Sequence, residues 1–435
     1  MELPFSNLPQ LLASLLTLVI ILHVFLLGIS YLILLERKIC SWCQDRIGPN
    51  RVGKYGLLQP IADGLKFMVK EDYNPPFVDK LLFFGGPALA VVPAIVSWAV
   101  IPWGGVWHSP WGDLNIAVAN VNIGVIYILA AGSLGAYGLI IGAWASNSKY
   151  SFLGGLRATA QMLSYEIPMG LILLTMILLV GSARPDEMVA QQVGYFWDFS
   201  FGDMKFGFIP SWYVFQQPLA AVLFFVCILA EANRTPFDMA EAESELVGGY
   251  HTEYSSMKFA LFFLGEYMHM ITGSALLIVL FFGGWHLPLV DRFIYADTIG
   301  MVSDTHGTYD RFVMGEQPIA GSLLGVMLKI GVFLAKVTVV LAVMMWIRWT
   351  LPRFRFDQLM TLAWKSLIPL SLLILMVTGI FIYFGWENYL WVGNIMMVGV
   401  AWMGSKMLPK GKAPNRRVEL EGSRYCAPGM IQPAN

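Results

Sequence analysis

Charge is what this chain has least of. Only 13% of its 435 residues are Asp, Glu, Lys or Arg, and 57% are hydrophobic. A soluble domain carries about a quarter charged residues, so an ordinary water-soluble globule is excluded. Mean hydropathy is +0.63, which is membrane composition. A net charge of -1 gives no general pull toward nucleic acid. The four cysteines (Cys40, Cys43, Cys227 and Cys426) are too few for a disulfide scaffold. Cys40-Ser-Trp-Cys43 is a lone CxxC followed by Gln44, so it is not a haem-attachment signal, and no second pair completes a structural zinc site. Two thiols one helical turn apart in a reducing compartment is the favoured reading. Nucleotide-binding glycine loops, iron–sulfur cysteine sets, flavin motifs and internal repeats are all missing.

What is present is long apolar sequence. A spanning helix needs roughly 20 predominantly apolar residues. Nine stretches qualify: 8–35, 81–103, 120–145, 162–182, 217–232, 259–283, 319–346, 366–384 and 389–407. The fifth is short, and Gly393 and Asn394 interrupt the ninth. The N-terminal Met1-Glu2-Leu3-Pro4 is not basic and the first run is too long for a signal peptide, so it is expected to be a retained anchor. The fold class expected is all-α, a polytopic transmembrane helix bundle of eight core spans with a possible ninth.

Lys and Arg accumulate in cytoplasmic loops. Loops after odd-numbered spans hold 22 of them and loops after even-numbered spans hold 4. The N-terminus is therefore expected outside and the main charged loops in the cytoplasm. The tail residues Lys410, Lys412, Arg416 and Arg417 agree with a C-terminus inside. In the third span Gly135, Gly138 and Gly142 suit close helix packing.

The first charged loop opens with Glu36-Arg37-Lys38 and reaches a segment starting at Pro60, with Ile61, Leu65, Met68 and Val69 on one helical face and Asp63, Lys66 and Lys70 on the other. It is expected to lie as a short helix in the membrane interface. Solvated basic residues explain the lysines there, whereas Glu36 and Asp63 need a partner or a task. A later loop, from Glu231 through Arg234, Asp238, Glu241, Glu243 and Glu245 to Glu253, is denser in acids. Asp238 and Glu241 resemble a capping box, so a helix is expected to start there, ended by Gly248-Gly249. Acids at a helix start are the plain explanation for Glu241 and Glu243. They leave Glu231 unexplained, together with Glu166, Glu266, His269, Lys329 and Lys336 inside spans. Ionisable groups cost about 2.5–3.5 kcal/mol there on insertion scales and mark ion or proton paths. Lys329 and Lys336 share a helical face. Glu266 and His269 form one ExxH, half of a di-iron pattern with no second copy, so no metal is expected. Closely spaced carboxylates in a low dielectric titrate as coupled groups and could hold and pass protons.

These loops, taken in order, resemble one family. The motifs are Glu36-Arg37-Lys38; Arg46-Ile-Gly-Pro-Asn-Arg-Val-Gly53; Leu58-Gln-Pro-Ile-Ala-Asp-Gly-Leu-Lys66; Gly142-Ala-Trp-Ala-Ser-Asn-Ser-Lys-Tyr150; Leu156-Arg-Ala-Thr-Ala-Gln161; Ser164-Tyr-Glu166; Glu231-Ala-Asn-Arg-Thr-Pro-Phe-Asp238; Glu241-Ala-Glu-Ser-Glu-Leu-Val247; Thr252-Glu-Tyr254; and Arg348-Trp-Thr-Leu-Pro-Arg-Phe-Arg-Phe-Asp-Gln358. Together they look like the H-subunit family of bacterial NADH:quinone oxidoreductase (respiratory complex I), the counterpart of mitochondrial complex I subunit 1. The likeness runs from about residue 15 to 385. It divides the chain into a family-like membrane domain, 1–385, and an extra span with a basic tail, 386–435.

The resemblance implies an eight-helix component of the bacterial inner membrane that docks a peripheral electron-transfer arm and contacts antiporter-like membrane subunits and lipids. Quinone would be the substrate. Glu36, Arg37, Arg46 and Asp63 would line its entrance and chamber, with Arg234 and Asp238 on the quinone side. Glu166, Glu231, Glu241, Glu243, Glu245 and Glu266 would relay protons, and Lys329 and Lys336 join them on the argument from buried charge. No cofactor is expected in this chain; iron–sulfur clusters and FMN would sit in partner subunits. Three departures stand out. Some family members carry an acid near Ser133-Leu134-Gly135, where this chain has none. The outer loops 183–216 and 284–318 are long, and the ninth span is additional. The membrane component of an energy-converting hydrogenase would lack the full first loop. A secondary transporter would show inverted repeats and broken helices, and neither is present.

Overall fold

The computed structural model describes residues 8–109, 112–193, 195–201, 204–239, 247–287 and 323–407. Helix α1 (Leu8–Cys43) is 36 residues long, about 54 Å at 1.5 Å per residue. It crosses any bilayer with length to spare, so Glu36 to Cys43 extend beyond the apolar run on the same helix. The interfacial helix appears as α2 (Gln59–Val69), with Pro60 in its first turn and no buried residue. Helix α3 (Lys80–Ser97) starts on an Asp79 cap, whose carboxylate accepts from the backbone N–H of Leu81 and Leu82 at 3.1 and 3.3 Å. A hairpin of β1 (Val106–Ser109) and β2 (Gly112–Asn115) follows, clasped to α1 by Gln10 on the backbone of Asn115.

Helices α4 (Gly124–Ala145) and α5 (Lys149–Val180) come next. Helix α5 begins 13 residues before the apolar stretch expected at 162–182, because Lys149 to Gln161 continue the same helix. Glycine brings α3 and α4 together: a Cβ at Gly138 would stand 2.5 Å from the Ala90 nitrogen, and one at Gly86 would stand 2.7 Å from Gly142 Cα. The packing reading of those glycines is borne out. The first long outer loop is ordered as α6 (Pro185–Ala190), an antiparallel hairpin of β3 (Tyr195–Phe201) and β4 (Met204–Pro210), and the single turn α7 (Tyr213–Gln216). The second lies mostly outside the described residues.

Helix α8 (Pro218–Glu231) has only 14 residues, about 21 Å, against a hydrocarbon core of about 30 Å. Its chain turns back early, and residues 232–239 fold into the bundle. Buried backbone needs partners, and Gln161 of α5 supplies them: its amide donates to the carbonyls of Ala230 at 2.7 Å and Phe237 at 2.5 Å. Helix α9 (Ser256–Phe281) is the central and most buried helix. Helices α10 (Leu323–Thr350) and α11 (Phe356–Tyr383) complete a set of seven that are long and apolar enough to cross a membrane, alongside α1, α3, α4, α5 and α9. The chain is thus an all-α, multi-pass membrane protein with two small hairpins. The last helix, α12 (Leu390–Met407), is less apolar. Asn394, which interrupts its hydrophobic pattern, anchors it: the buried amide donates to the Gln216 carbonyl at 3.0 Å and to Gln217 Oε1 at 3.1 Å.

Candidate functional site

Four elements meet at the end of the bundle that carries the charged loops. Helix α1 continues past its apolar run and so presents Glu36. The last turn of α10 presents Arg348, a cation at the negative end of a helix dipole. The segment after the short α8 presents Arg234, and α9 presents Glu266 and Tyr267. Glu36 is 6% exposed and Arg234 is 3% exposed. Arg348 donates to Glu36 Oε1, and the Tyr267 hydroxyl donates to Glu36 Oε2 at 2.6 Å. Arg234 lies between two carboxylates, 3.6 Å from Glu36 and 3.5 Å from Glu266, with its guanidinium 4.3 Å from the centre of the Tyr267 ring. The Tyr250 hydroxyl donates to Glu266 Oε1 at 3.1 Å. Two carboxylates face two guanidinium groups, so this dry cluster is neutral as a whole.

Asp238 pairs with Arg353 at 2.7 Å. Asp63 accepts from Arg37 at 2.8 Å and from the Gln59 amide at 3.0 Å, which ties α2 to the end of α1. Both acids that a basic loop left unexplained, Glu36 and Asp63, therefore have partners. Arg46 is exposed and donates to Gln44, apart from the cluster. Lys258 bridges to Asp72 at 2.9 Å and lies 4.4 Å from the centre of the Phe84 ring. Beside it, Tyr254 donates to the carbonyls of Phe83 and Gly142, both at 3.1 Å, and burial pushes its hydroxyl pKa up. His251 stands edge-on to Tyr250 and Phe259. Burial pushes its pKa down to about 4, so the ring is neutral near pH 7.

Deeper in the bundle, Ser133 of α4 donates to Glu166 of α5, a hydroxyl close to the position where some relatives carry an acid. Glu231, at the end of α8, lines an internal cavity that also meets His269. At the opposite end, Lys336 of α10 donates to the carbonyls of Phe282, Gly284 and His286 at 2.6, 3.0 and 2.6 Å, closing the C-terminus of α9. Lys329 is buried two turns earlier on the same helix face. Glu241, Glu243 and Glu245, with the helix start expected there, lie outside the described residues. Among the described residues no group of three or more His, Cys, Asp or Glu could hold a metal ion.

Of the residues that stand out in the sequence, Glu36, Arg234 and Glu266 come together in one cluster. Arg348 and Arg353 complete the pairing, although in the sequence they count only as topology charges within a motif. Tyr250, Tyr267, Ser133 and Gln161 carry no signal in the sequence apart from lying in or next to such motifs.

A family model described as NADH dehydrogenase matches residues 16–379. That span contains every paired residue just named. The chain belongs to the family of NADH-quinone oxidoreductase H subunits. The first of two such subunits in Cytophaga hutchinsonii is 42% identical over 344 residues, covering 79% of this chain and 89% of that protein. The one in Flavobacterium psychrophilum is 43% identical, covering 79% of this chain and 90% of that protein. A counterpart in Geobacter sulfurreducens is 42% identical over 374 residues, covering 83% and 93%. As a member of that family this chain is a membrane component of an enzyme complex. The family match stops at residue 379, before α12.

Proposed function

We propose that this chain forms the quinone-binding chamber of a proton-pumping NADH:quinone oxidoreductase and links that chamber to proton transfer in the membrane. The observation that carries the reading is the neutral buried cluster of Glu36, Arg348, Arg234 and Glu266. It joins the ends of α1 and α10 to the centre of α9. Such a cluster costs desolvation that simple packing would avoid, and it reaches from the charged loops into the bundle. A quinone headgroup near Arg37, Arg46, Asp63 and Asp238 would gain protons as it is reduced. A change of charge there would be felt through Arg234 at Glu266. Glu231 and Glu166 would extend the path within the membrane, with Glu241, Glu243 and Glu245 in the acidic loop beside it. The open apolar face of α2 suits the entry of an isoprenoid tail from the lipid.

In this reading the charged end faces the cytoplasm of a bacterial inner membrane, and residues 386–435 are an addition to the 1–385 domain. The protein supplies shape, charge and proton positions; the partner arm supplies electrons through its iron–sulfur clusters and FMN. The test is purification of the native complex followed by NADH oxidation in proteoliposomes. The chain should co-purify with iron–sulfur subunits, and E241Q/E245Q should depress quinone-linked NADH oxidation and proton uptake together. Isolation of the chain as an active lone protein, or unchanged pumping in that double variant, would overturn the reading.

A further inference from the structure

The cavity beyond Glu231 belongs to none of the ion pairs above. About 360 Å³ of empty space lies among α3, α4, α5, α8 and α9. A water takes roughly 30 Å³ in the liquid. The lining is apolar carbon from residues such as Met169 and Phe224, broken by Ser97, Thr272, Glu231 and His269. The two hydroxyls are already engaged. Ser97 donates to the Pro93 carbonyl at 2.9 Å; Thr272 donates to the Met268 carbonyl at 2.9 Å and accepts from the Trp98 indole at 2.7 Å. Among the described residues, neither the Glu231 carboxyl nor the His269 ring makes a side-chain hydrogen bond. Buried polar groups are partnered as a rule, so two titratable side chains facing one space call for water between them.

Helix α4 fixes their relation. A Cβ at Gly132 would stand 3.0 Å from Glu231 Oε1, and a Cβ at Gly135 would stand 2.8 Å from His269 Nε2. These glycines are three residues apart on one helical face, about 4.5 Å along the axis. The carboxylate and the imidazole nitrogen are therefore about one turn apart against the same bare strip of helix. That is too far for a direct hydrogen bond and close enough for a single water. Larger residues on α4 would fill the gap.

We propose that Glu231 and His269 are a water-bridged proton pair and that His269 is a further proton-transfer residue of this membrane domain. The inference rests on the reading of the chain as a proton-linking component. In the step, the Glu231 carboxyl loses its O–H proton to the bridging water while that water gives a proton to His269 Nε2. A carboxylate and an imidazolium result, with no net change of charge or water. The ionisable groups around the pair are Glu166, held by Ser133 and within electrostatic reach of Glu231, and Glu266, one turn before His269 on α9 and engaged with Arg234 and Tyr250. Helix α3 contributes Ser97 to the polar lining, and α4 contributes bare glycine.

The test uses the whole complex in proteoliposomes, reading NADH-driven proton uptake and its pH profile for E231Q, H269Q and H269N, with iron–sulfur content as the check of assembly. Both His269 variants are expected to assemble and to slow coupled turnover on the order of tenfold, less than the roughly 10²–10⁴ of a positioned acid–base group because water still fills the space. Their pH profile should also shift. If E231Q is impaired while both His269 variants keep wild-type rate and profile, the pair is overturned and the wider reading stands. A slower rate with an unmoved profile would reduce His269 to packing and overturn it equally. Unimpaired E231Q would overturn the relay reading and the pair together. Should neither His269 variant assemble, G135A, which presses a methyl on the imidazole, decides by the same two readouts.

Discussion

The Arg234 cluster and the Glu231 cavity lie within the same helix bundle, and both put ionisable groups where water is scarce. They handle the charge differently. Around Arg234 each carboxylate has a guanidinium and a phenol, and each oxygen is spoken for. In the cavity a carboxyl and an imidazole face empty space across a glycine strip. A fully matched cluster holds its protonation state firmly, because removing or adding a proton leaves a bare charge behind. An unmatched pair has no such penalty built in. The difference teaches where a charge is held still and where a proton is free to move.

Breaking the matched region should give the largest effect. R234M would leave Glu36 and Glu266 facing each other without their shared cation. About 3–5 kcal/mol of stability should go, seen as lower thermal stability of the purified complex. Adding E266Q to R234M should return part of it, and a double variant no better than R234M would mean that Arg234 acts by packing alone. Next comes Lys336, a cation matched by carbonyl dipoles instead of carboxylates. K336M should cost about 1.5–3 kcal/mol, measured as faster hydrogen exchange at the last turn of α9. Wild-type exchange there would show that the three carbonyls find other donors.

His251 sharpens the contrast as a buried group kept neutral. Its pKa is pushed down to about 4 by burial, against about 6.5 when the loop opens. Between those values the opened loop binds a proton that the closed loop refuses. Stability of the 247–255 loop should therefore fall as pH drops from about 6.5 to about 4 and level off below. Proteolysis of that loop against pH reads this, and H251F should flatten the curve. The smallest effect belongs to the surface control. Arg184 chelates Asp186 and Glu187 in water, and R184A should change stability by no more than about 1 kcal/mol.

The helices are legible because apolar length is a direct reading of bilayer thickness; each of the seven long spans contains one of the apolar runs. Their ends are less so. Helices α1 and α5 run past their apolar stretches because polar residues continue a helix as readily as apolar ones once it leaves the lipid. The short hairpins leave no mark, since four to seven residues of strand carry too little pattern. At the site, the acids stand out because a carboxylate in an apolar run is expensive. The arginines that match them do not, since Arg348 and Arg353 sit where topology already accounts for basic residues. His269 is visible as an ionisable group in a span, but its neighbour across the cavity is set by Gly132 and Gly135 on another helix, which only the fold brings together.

The brevity of α8 has a consequence for how the protein is made. Fourteen residues reach about two thirds of the way across the hydrocarbon, so α8 cannot settle in the bilayer by itself as it leaves the ribosome. Its trailing segment, buried around Gln161 in the finished bundle, has nothing to bury against until α5 is beside it. Helix α8 must then enter as a passenger of its neighbours, with α5 already placed and α9 following. The order of synthesis becomes part of the assembly instructions for the most acidic stretch of the chain.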